Sequence, residues 1–409
     1  MITNDAFLFG ILAIMLGGIF YTAGLDRPFW KKFYRIFPII LVCYFLPSLL
    51  NSFGLVNAEE SQLYFVASRY LLPASLLLLT LSMDFKRILA LGPKALIMFA
   101  TGTIGVVIGG PIAILIFSVI DPATVGGQGP EAVWRGMTTI AGSWIGGGAN
   151  QAAMKEVYGV GDQVFSVMVT VDVIVANIWM AVLLYLAANS KAIDARNGAD
   201  TSAIDDLKIT VEAFQKKYAR IPDLKDMMVL LAVAFGTVGL AHFAADTLSA
   251  TFGAMAGYET SNFASQFFWL VVLVTTVGLV LSFTKARKLE GIGASRMGSV
   301  FIFILVATIG LKMNVLAILD NPRIFMVGAV WIGVHIILLL IVRRLIKAPI
   351  FFLAVGSQAN IGGAASAPVV AAAFHPSLAP VGVLLAVLGY AIGTYAALFT
   401  GTLMQAVAP

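Results

Sequence analysis

One carboxylate stands alone in an apolar run: Asp172, within VFSVMVTVDVIVANIWMAVLLYL. An unpaired acid at the depth of a membrane span is expensive. Such a residue serves as an ion ligand or proton carrier, pairs with a neighbouring Arg or Lys, or makes a packing hydrogen bond. Thr170 and Asn177 accompany it. On a helix Asp172 and Asn177 project about 140° apart, so gripping one ion would require a third group from elsewhere. The corresponding run near the C-terminus, VGVLLAVLGYAIGTYAALFTGTL, offers Tyr390 and Thr394 but no acid. Any ion coupling through Asp172, Thr170, Asn177 and Thr394 is therefore unequal between the two ends of the chain.

A second set of chemically suggestive residues lies in two related phrases, GSWIGGGANQ at 142–151 and GSQANIGGAAS at 356–366. Gly146, Gly147 and Gly148, and later Gly362 and Gly363, permit sharp backbone breaks and close approach. Ser143, Asn150 and Gln151, and then Ser357, Gln358, Asn360 and Ser366, add polar side chains around the breaks. A helix restarting at such a break presents free N–H groups and a positive dipole end, which favours an anion. The twelve residues named are the candidate substrate contacts. Tight packing of small residues is the competing reading for a single glycine cluster. An enzyme has less to work with, since three His at 242, 335 and 375, the single Cys43 and one deep acid make no catalytic constellation. No cofactor is expected beyond a coupling sodium ion or proton.

The elements that position these residues are membrane spans. The chain is 60% hydrophobic and 11% charged, against about 25% charged for a soluble domain. Its net charge of +5 comes from basic residues that punctuate apolar runs, which points to membrane topology rather than to a nucleic-acid surface. Runs of the length needed to cross about 30 Å of hydrocarbon occur at 6–25, 36–55, 63–83, 95–119, 163–188, 227–245, 264–283, 297–313, 323–342 and 378–404. The first, following MITND, lacks a basic n-region and reads as a retained span. The lone Cys43 excludes a disulfide within one chain.

Two further apolar stretches, 131–158 and 349–374, carry the glycine phrases, and a polar connector at 189–226 divides the chain into repeats of similar length, 1–188 and 227–409. More than the glycines recurs. Ala67-Ser68-Arg69 matches Ala294-Ser295-Arg296, Ser82-Met83-Asp84 matches Lys312-Met313-Asn314, Pro93-Lys94 matches Pro322-Arg323, and Ile104-Gly105-Val106 matches Ile332-Gly333-Val334, in the same order. The chain is read as an internal duplication.

Charge fixes its sense. If both glycine stretches dip into the bilayer and return, and the N-terminus is outside, the cytoplasmic side collects all the Lys and Arg except Arg69, Arg135, Lys155, Lys312 and Arg323. The acidic turn Asn57-Ala58-Glu59-Glu60 then lies outside. If both stretches crossed fully, most basic residues would face outward, against the positive-inside rule. Five crossings per half then make an inverted repeat. The arm 131–143 is about 20 Å long, enough to reach the middle of the membrane and no further. Broken backbone at that depth is tolerated where protein buries it or where it lines a polar cavity.

The phrases GSWIGGGANQAAM and GSQANIGGAASAPV, the spans opening on ASR and the polar connector resemble an uncharacterised bacterial and plastid integral-membrane family. That family is grouped with the cation:proton antiporter and anion transporter superfamily, which includes bile-acid, glutamate and 2-hydroxycarboxylate symporters. The resemblance implies an all-α polytopic protein of about ten spans plus two re-entrant hairpins, with an elevator mechanism. Spans three to five and eight to ten would carry the hairpins as a core, past a scaffold of spans one, two, six and seven that dimerises. It implies transport of a small organic anion with sodium or protons, Asp172 being the candidate sodium ligand. A cation/proton antiporter of the same fold is the alternative, with a channel or membrane enzyme behind it. The expected location is a bacterial inner membrane with both termini outside. Lipid, an anionic solute and a second copy are the expected partners, and no nucleic acid. Arg69 and Arg296 are expected to snorkel to the interface. Ser75, beside Pro73, and Thr308 read first as ordinary core polarity, with breaks where spans three and eight pass the hairpins as the alternative. His335 is read as structural, facing lipid or a packed helix.

Overall fold

The computed structural model describes residues 2–37, 39–56, 61–83, 85–199, 204, 222–255, 262–312, 323–375 and 378–409. The turn 57–60, Asp84, Met313, Asn314, Pro322 and most of the connector lie outside them. The described residues are all-helical, with one isolated bridge between Ile2 and Val56 and no longer strand.

Eight helices are long and apolar enough to cross a bilayer. They are α1 (Asp5–Ala23), α3 (Leu63–Leu81), α4 (Pro93–Ile120), α6 (Asp162–Ala188), α7 (Leu224–Gly253), α9 (Ala294–Lys312), α10 (Ile324–Leu345) and most of α13 (Ala379–Val407). Two of the ten expected spans are shorter. Helix α2 (Ile39–Ser52) has 14 residues and an internal Pro47, and α8 (Gln266–Ser282) has 17 before the chain bends by 95° into the short helix Lys285–Ile292. Apolar side chains cover the outside of several helices; on α7, Leu240 and Phe243 are 74% and 76% exposed. Such a surface fits hydrocarbon rather than water.

Each glycine stretch folds back on itself. Helix α5 (Val133–Val157) is broken at Gly147, and a Cβ at Gly142 would lie 2.5 Å from the carbonyl oxygen of Asn150, so its arms run side by side. The ends of this first hairpin also meet, since Gly161 N–H donates to the Pro130 carbonyl at 2.8 Å and Val164 N–H to Glu131. The second hairpin pairs α11 (Ile350–Ile361) with α12 (Gly363–Phe374), and Phe351 packs edge-on against Phe374 at 5.2 Å where its two ends come together. A straight helix would hold either pair of ends more than 30 Å apart.

Packing sorts the helices differently from the expected core and scaffold. Helices α3 and α9 pack most closely on α8, on α2 and on each other, beside α1 and α7. Helices α4, α6, α10 and α13 gather around the two hairpins. Small residues explain the first grouping: a Cβ at Gly278 of α8 would approach the Leu77 carbonyl at 2.9 Å, and one at Gly298 of α9 the Ser75 carbonyl at 3.3 Å. Spans three and eight thus sit with spans one, two, six and seven. Ser75 donates to the Gly298 carbonyl at 2.9 Å and Thr308 to Leu305 in its own helix. Neither breaks its span; the irregularity in α3 is a π-helical turn at Ala67–Leu71.

Candidate functional site: two hairpin tips in contact

Both breaks occur at glycines with positive φ. Gly147 has φ 72° and ψ −174°, and Gly363 has φ 57°. The first combination is essentially confined to glycine. The breaks touch: a Cβ at Gly363 would lie 4.0 Å from the Cα of Gly147, and one at Gly147 would lie 3.1 Å from the Tyr390 ring. Helix α12 starts at this contact without a side-chain cap, so its first N–H groups are left for another acceptor.

Around the contact the twelve candidate residues divide in two. Ser143, Gly147, Gly148, Gly362 and Ser366 are partly exposed. Gly146, Asn150, Gln151, Ser357, Gln358, Asn360 and Gly363 are buried. Most of the buried side chains hold the hairpins in place. Asn150 donates to the Gly146 carbonyl at 3.0 Å and accepts from Thr394 of α13 at 2.5 Å, and Thr394 in turn lies 3.3 Å from Thr275 of α8. Asn360 donates to the carbonyls of Phe99 and Gly356 and accepts from Thr103 of α4 at 2.8 Å. Gln358 reaches across the second break to Ser366 at 2.6 Å.

Asp172 is 6% exposed and joins the two arms of the first hairpin. It accepts from the Trp144 indole on the arriving arm at 2.6 Å and from the Gln151 amide on the returning arm at 2.9 Å. Tyr44 of α2 donates to Gln151 at 3.3 Å. These donors are neutral, and hydrogen bonds to an ionised acceptor are the strong kind. Thr170 and Asn177 are not drawn in: each bonds a carbonyl one turn back in α6, Ser166 and Val173 respectively.

The second hairpin is held by a different group. His335 is fully buried and faces α4 and α11, not lipid. Its Nδ1 lies 2.9 Å from the Gly102 carbonyl and its Nε2 2.7 Å from the Ser357 hydroxyl, which also accepts from the Trp179 indole at 2.7 Å. Sequence reasoning missed Tyr44, Trp144, Trp179 and Thr103. Trp144 had a signal, because it sits inside the glycine phrase beside Ser143 and carries an N–H that must find an acceptor when buried.

Charged residues gather where the ends of the first hairpin meet. Arg69 does not simply snorkel; it pairs with Glu156 at 2.8 Å and lies over the Phe267 ring at 4.6 Å. Tyr64 donates to the same Glu156, and Lys155 pairs with Asp162 at 2.9 Å. Where the ends of the second hairpin meet, Asp194 of the connector helix Ser190–Asn197 pairs with Arg343 at 2.9 Å and accepts from Ile350 N–H at 2.8 Å, capping α11.

The arrangement brings two helix breaks together, with side-chain networks that fix the position of each. The comparisons with known proteins agree with its membrane character. The chain is 22% identical over 361 residues, 84% of either chain, to the uncharacterized membrane protein YjcL of Bacillus subtilis (strain 168). Residues 6–407 match the family described as protein of unknown function DUF819, and the chain belongs to that family.

Proposed function

We propose that this membrane protein is a secondary active transporter for a small organic anion, carboxylate-like or amino-acid-like, coupled to sodium or protons. The observation that carries the reading is the contact between Gly147 and Gly363, two positive-φ breaks from different halves of the chain. The uncapped start of α12 lies there beside Ser366, and the free N–H groups of a helix start favour a carboxylate. Asp172, locked to both arms of the first hairpin, is the candidate sodium ligand or proton carrier. Asn150 with Thr394 ties that hairpin to α13.

Several features support an inverted repeat and an elevator mechanism. Five apolar helices, α6 to α10, separate the ends of the two hairpins, which puts those ends on opposite faces if each helix crosses once. Packing of α8 on α3 mirrors packing of α2 on α9. The moving body would be α4, α6, α10, α13 and both hairpins. Helices α1, α2, α3, α7, α8 and α9 would be the scaffold through which two copies dimerise in a bacterial inner membrane, both termini outside. No step of the proposal needs an enzyme's chemistry.

The test starts with a thermal-shift screen of purified protein against organic acids and amino acids, with and without sodium, because a ligand of the native state raises its melting temperature. Hits go into proteoliposomes. Saturable counterflow driven by a cation gradient is the expected result. Ohmic, non-saturating current would overturn the proposal in favour of a channel.

A further inference from the structure

Each hairpin holds a titratable residue through side chains of its own glycine phrase. Trp144 and Gln151 bond the carboxylate of Asp172, and Ser357 bonds the imidazole of His335. We infer that His335 is a second coupling residue, binding a proton at Nε2 during the transport cycle and using Ser357 to report that proton to the second hairpin. The inference rests on the transporter reading.

The hydrogen bonds fix the resting state. The Gly102 carbonyl can only accept, so His335 Nδ1 carries the proton of the neutral ring and Nε2 is the free lone pair. Ser357 therefore donates to Nε2 while accepting from the Trp179 indole. Every group in the chain from Trp179 to Gly102 is satisfied in that one tautomer. A proton arriving at Nε2 forms an N–H bond and makes the ring an imidazolium. Ser357 must then accept from both Trp179 and His335, and its own hydrogen turns to the carbonyl one turn back in α11, a common acceptor for a helical serine. Protonation thus reorients a hydroxyl within the arriving arm of the second hairpin, six residues before its break.

Space for this ring is built into α4. A Cβ at Gly102 would lie 3.2 Å from His335 Cε1 and one at Gly105 would lie 2.8 Å from His335 Cα. Few charges compete with it. Of the helices packed on α10, α4 carries Lys94 in its first turn, α6 carries Asp162 in its first turn and Asp172 turned to the first hairpin, and α11 carries none. On α10 itself Arg343 is two turns away and held by Asp194, with Arg344 beside it. An imidazolium at one hairpin and a carboxylate at the other would offset each other's charge deep in the bilayer. That matters because uncompensated charge is costly in hydrocarbon.

The test needs no substrate. The full chain, labelled with 15N-histidine and reconstituted in nanodiscs, has His242, His335 and His375, and His335→Gln assigns the resonance. Between about pH 8 and pH 5, the range in which a histidine can switch, the His335 ring should pass from the Nδ1-protonated neutral form to the imidazolium. Ser357→Ala should mix the tautomers and move the midpoint, and Trp179→Phe should do so if Ser357→Ala fails to fold. Asp172→Asn should leave the tautomer unchanged. A ring that stays neutral throughout, starts as the other tautomer or ignores the loss of its serine network overturns the inference. None of these outcomes touches the counterflow test. A ring that titrates as expected in a protein without counterflow would instead count against the transporter reading.

Discussion

Contact between the hairpin tips can be tested by a double-mutant cycle on Gly147 and Gly363. At φ 72° and ψ −174°, an alanine at 147 sits where side chains essentially never go, at a cost of about 1–3 kcal/mol. Its methyl would also stand 3.1 Å from the Tyr390 ring, which must give by a few tenths of an ångström. An alanine at 363, with φ 57°, costs about 1–2 kcal/mol. Its methyl meets the Gly147 Cα at an ordinary 4.0 Å, so the single substitution is purely conformational. Because the two positions are neighbours, the pair should depart from the sum of the singles by about 0.5–1 kcal/mol. Stability would be followed by thermal unfolding in one detergent at fixed protein concentration. Gly236→Ala and Gly239→Ala on α7, where an added methyl meets nothing within 4 Å, are the controls. They should gain about 0.5–1 kcal/mol from helix propensity. If Gly147→Ala behaves like these controls, or the pair adds to within about 0.3 kcal/mol, the two tips do not meet as described.

Asp172→Asn should lower stability by about 2–3 kcal/mol through the weakened bonds from Trp144 and Gln151. In proteoliposomes it should abolish the cation dependence of uptake, and uptake with unchanged cation dependence would remove Asp172 from coupling. Asp194→Ala leaves the buried Arg343 unpaired and α11 uncapped, for a loss of about 3–5 kcal/mol in the same unfolding assay. At the end of α4, Thr124 and Arg323 hold the Asp121 carboxyl below its usual range. Its small, exposed contribution should be complete above about pH 4 and fade as acid protonates it. The melting-temperature difference between wild type and Asp121→Asn should accordingly vanish in strong acid. A cysteine at Lys191, introduced with Cys43 replaced, should react with impermeant maleimide only in inside-out vesicles.

Much of this arrangement was legible because glycine and hydropathy are local signals. The hairpins follow from a triple glycine in a run too short to cross twice as straight helix, and the breaks fall at Gly147 and Gly363, within the quoted phrases. The isolation of Asp172 was equally plain. Its surroundings were not, because Trp144 and Gln151 belong to another helix, and Tyr44, which donates to Gln151, lies more than a hundred residues away in sequence. Polar residues expected to face a ligand bond backbone instead: Asn150 the Gly146 carbonyl beside the first break, and Asn360 the carbonyls of Phe99 and Gly356. The partners of His335 were not legible in sequence, since Gly102 and Ser357 come from other helices. The grouping of α3 and α9 depends on glycines of facing helices, which periodicity along one helix does not reveal.

The seam between α4 and α10 limits how this protein can move. A methyl at Gly109 would lie 2.6 Å from Trp331, and the Trp331 indole donates to the Val106 carbonyl at 2.8 Å, so one long helix from each half is locked in register with the other. Two halves that rocked about their midline like the leaves of a hinge would have to tear this seam open in every cycle. Any large displacement within this protein would therefore have to carry α4 and α10 together.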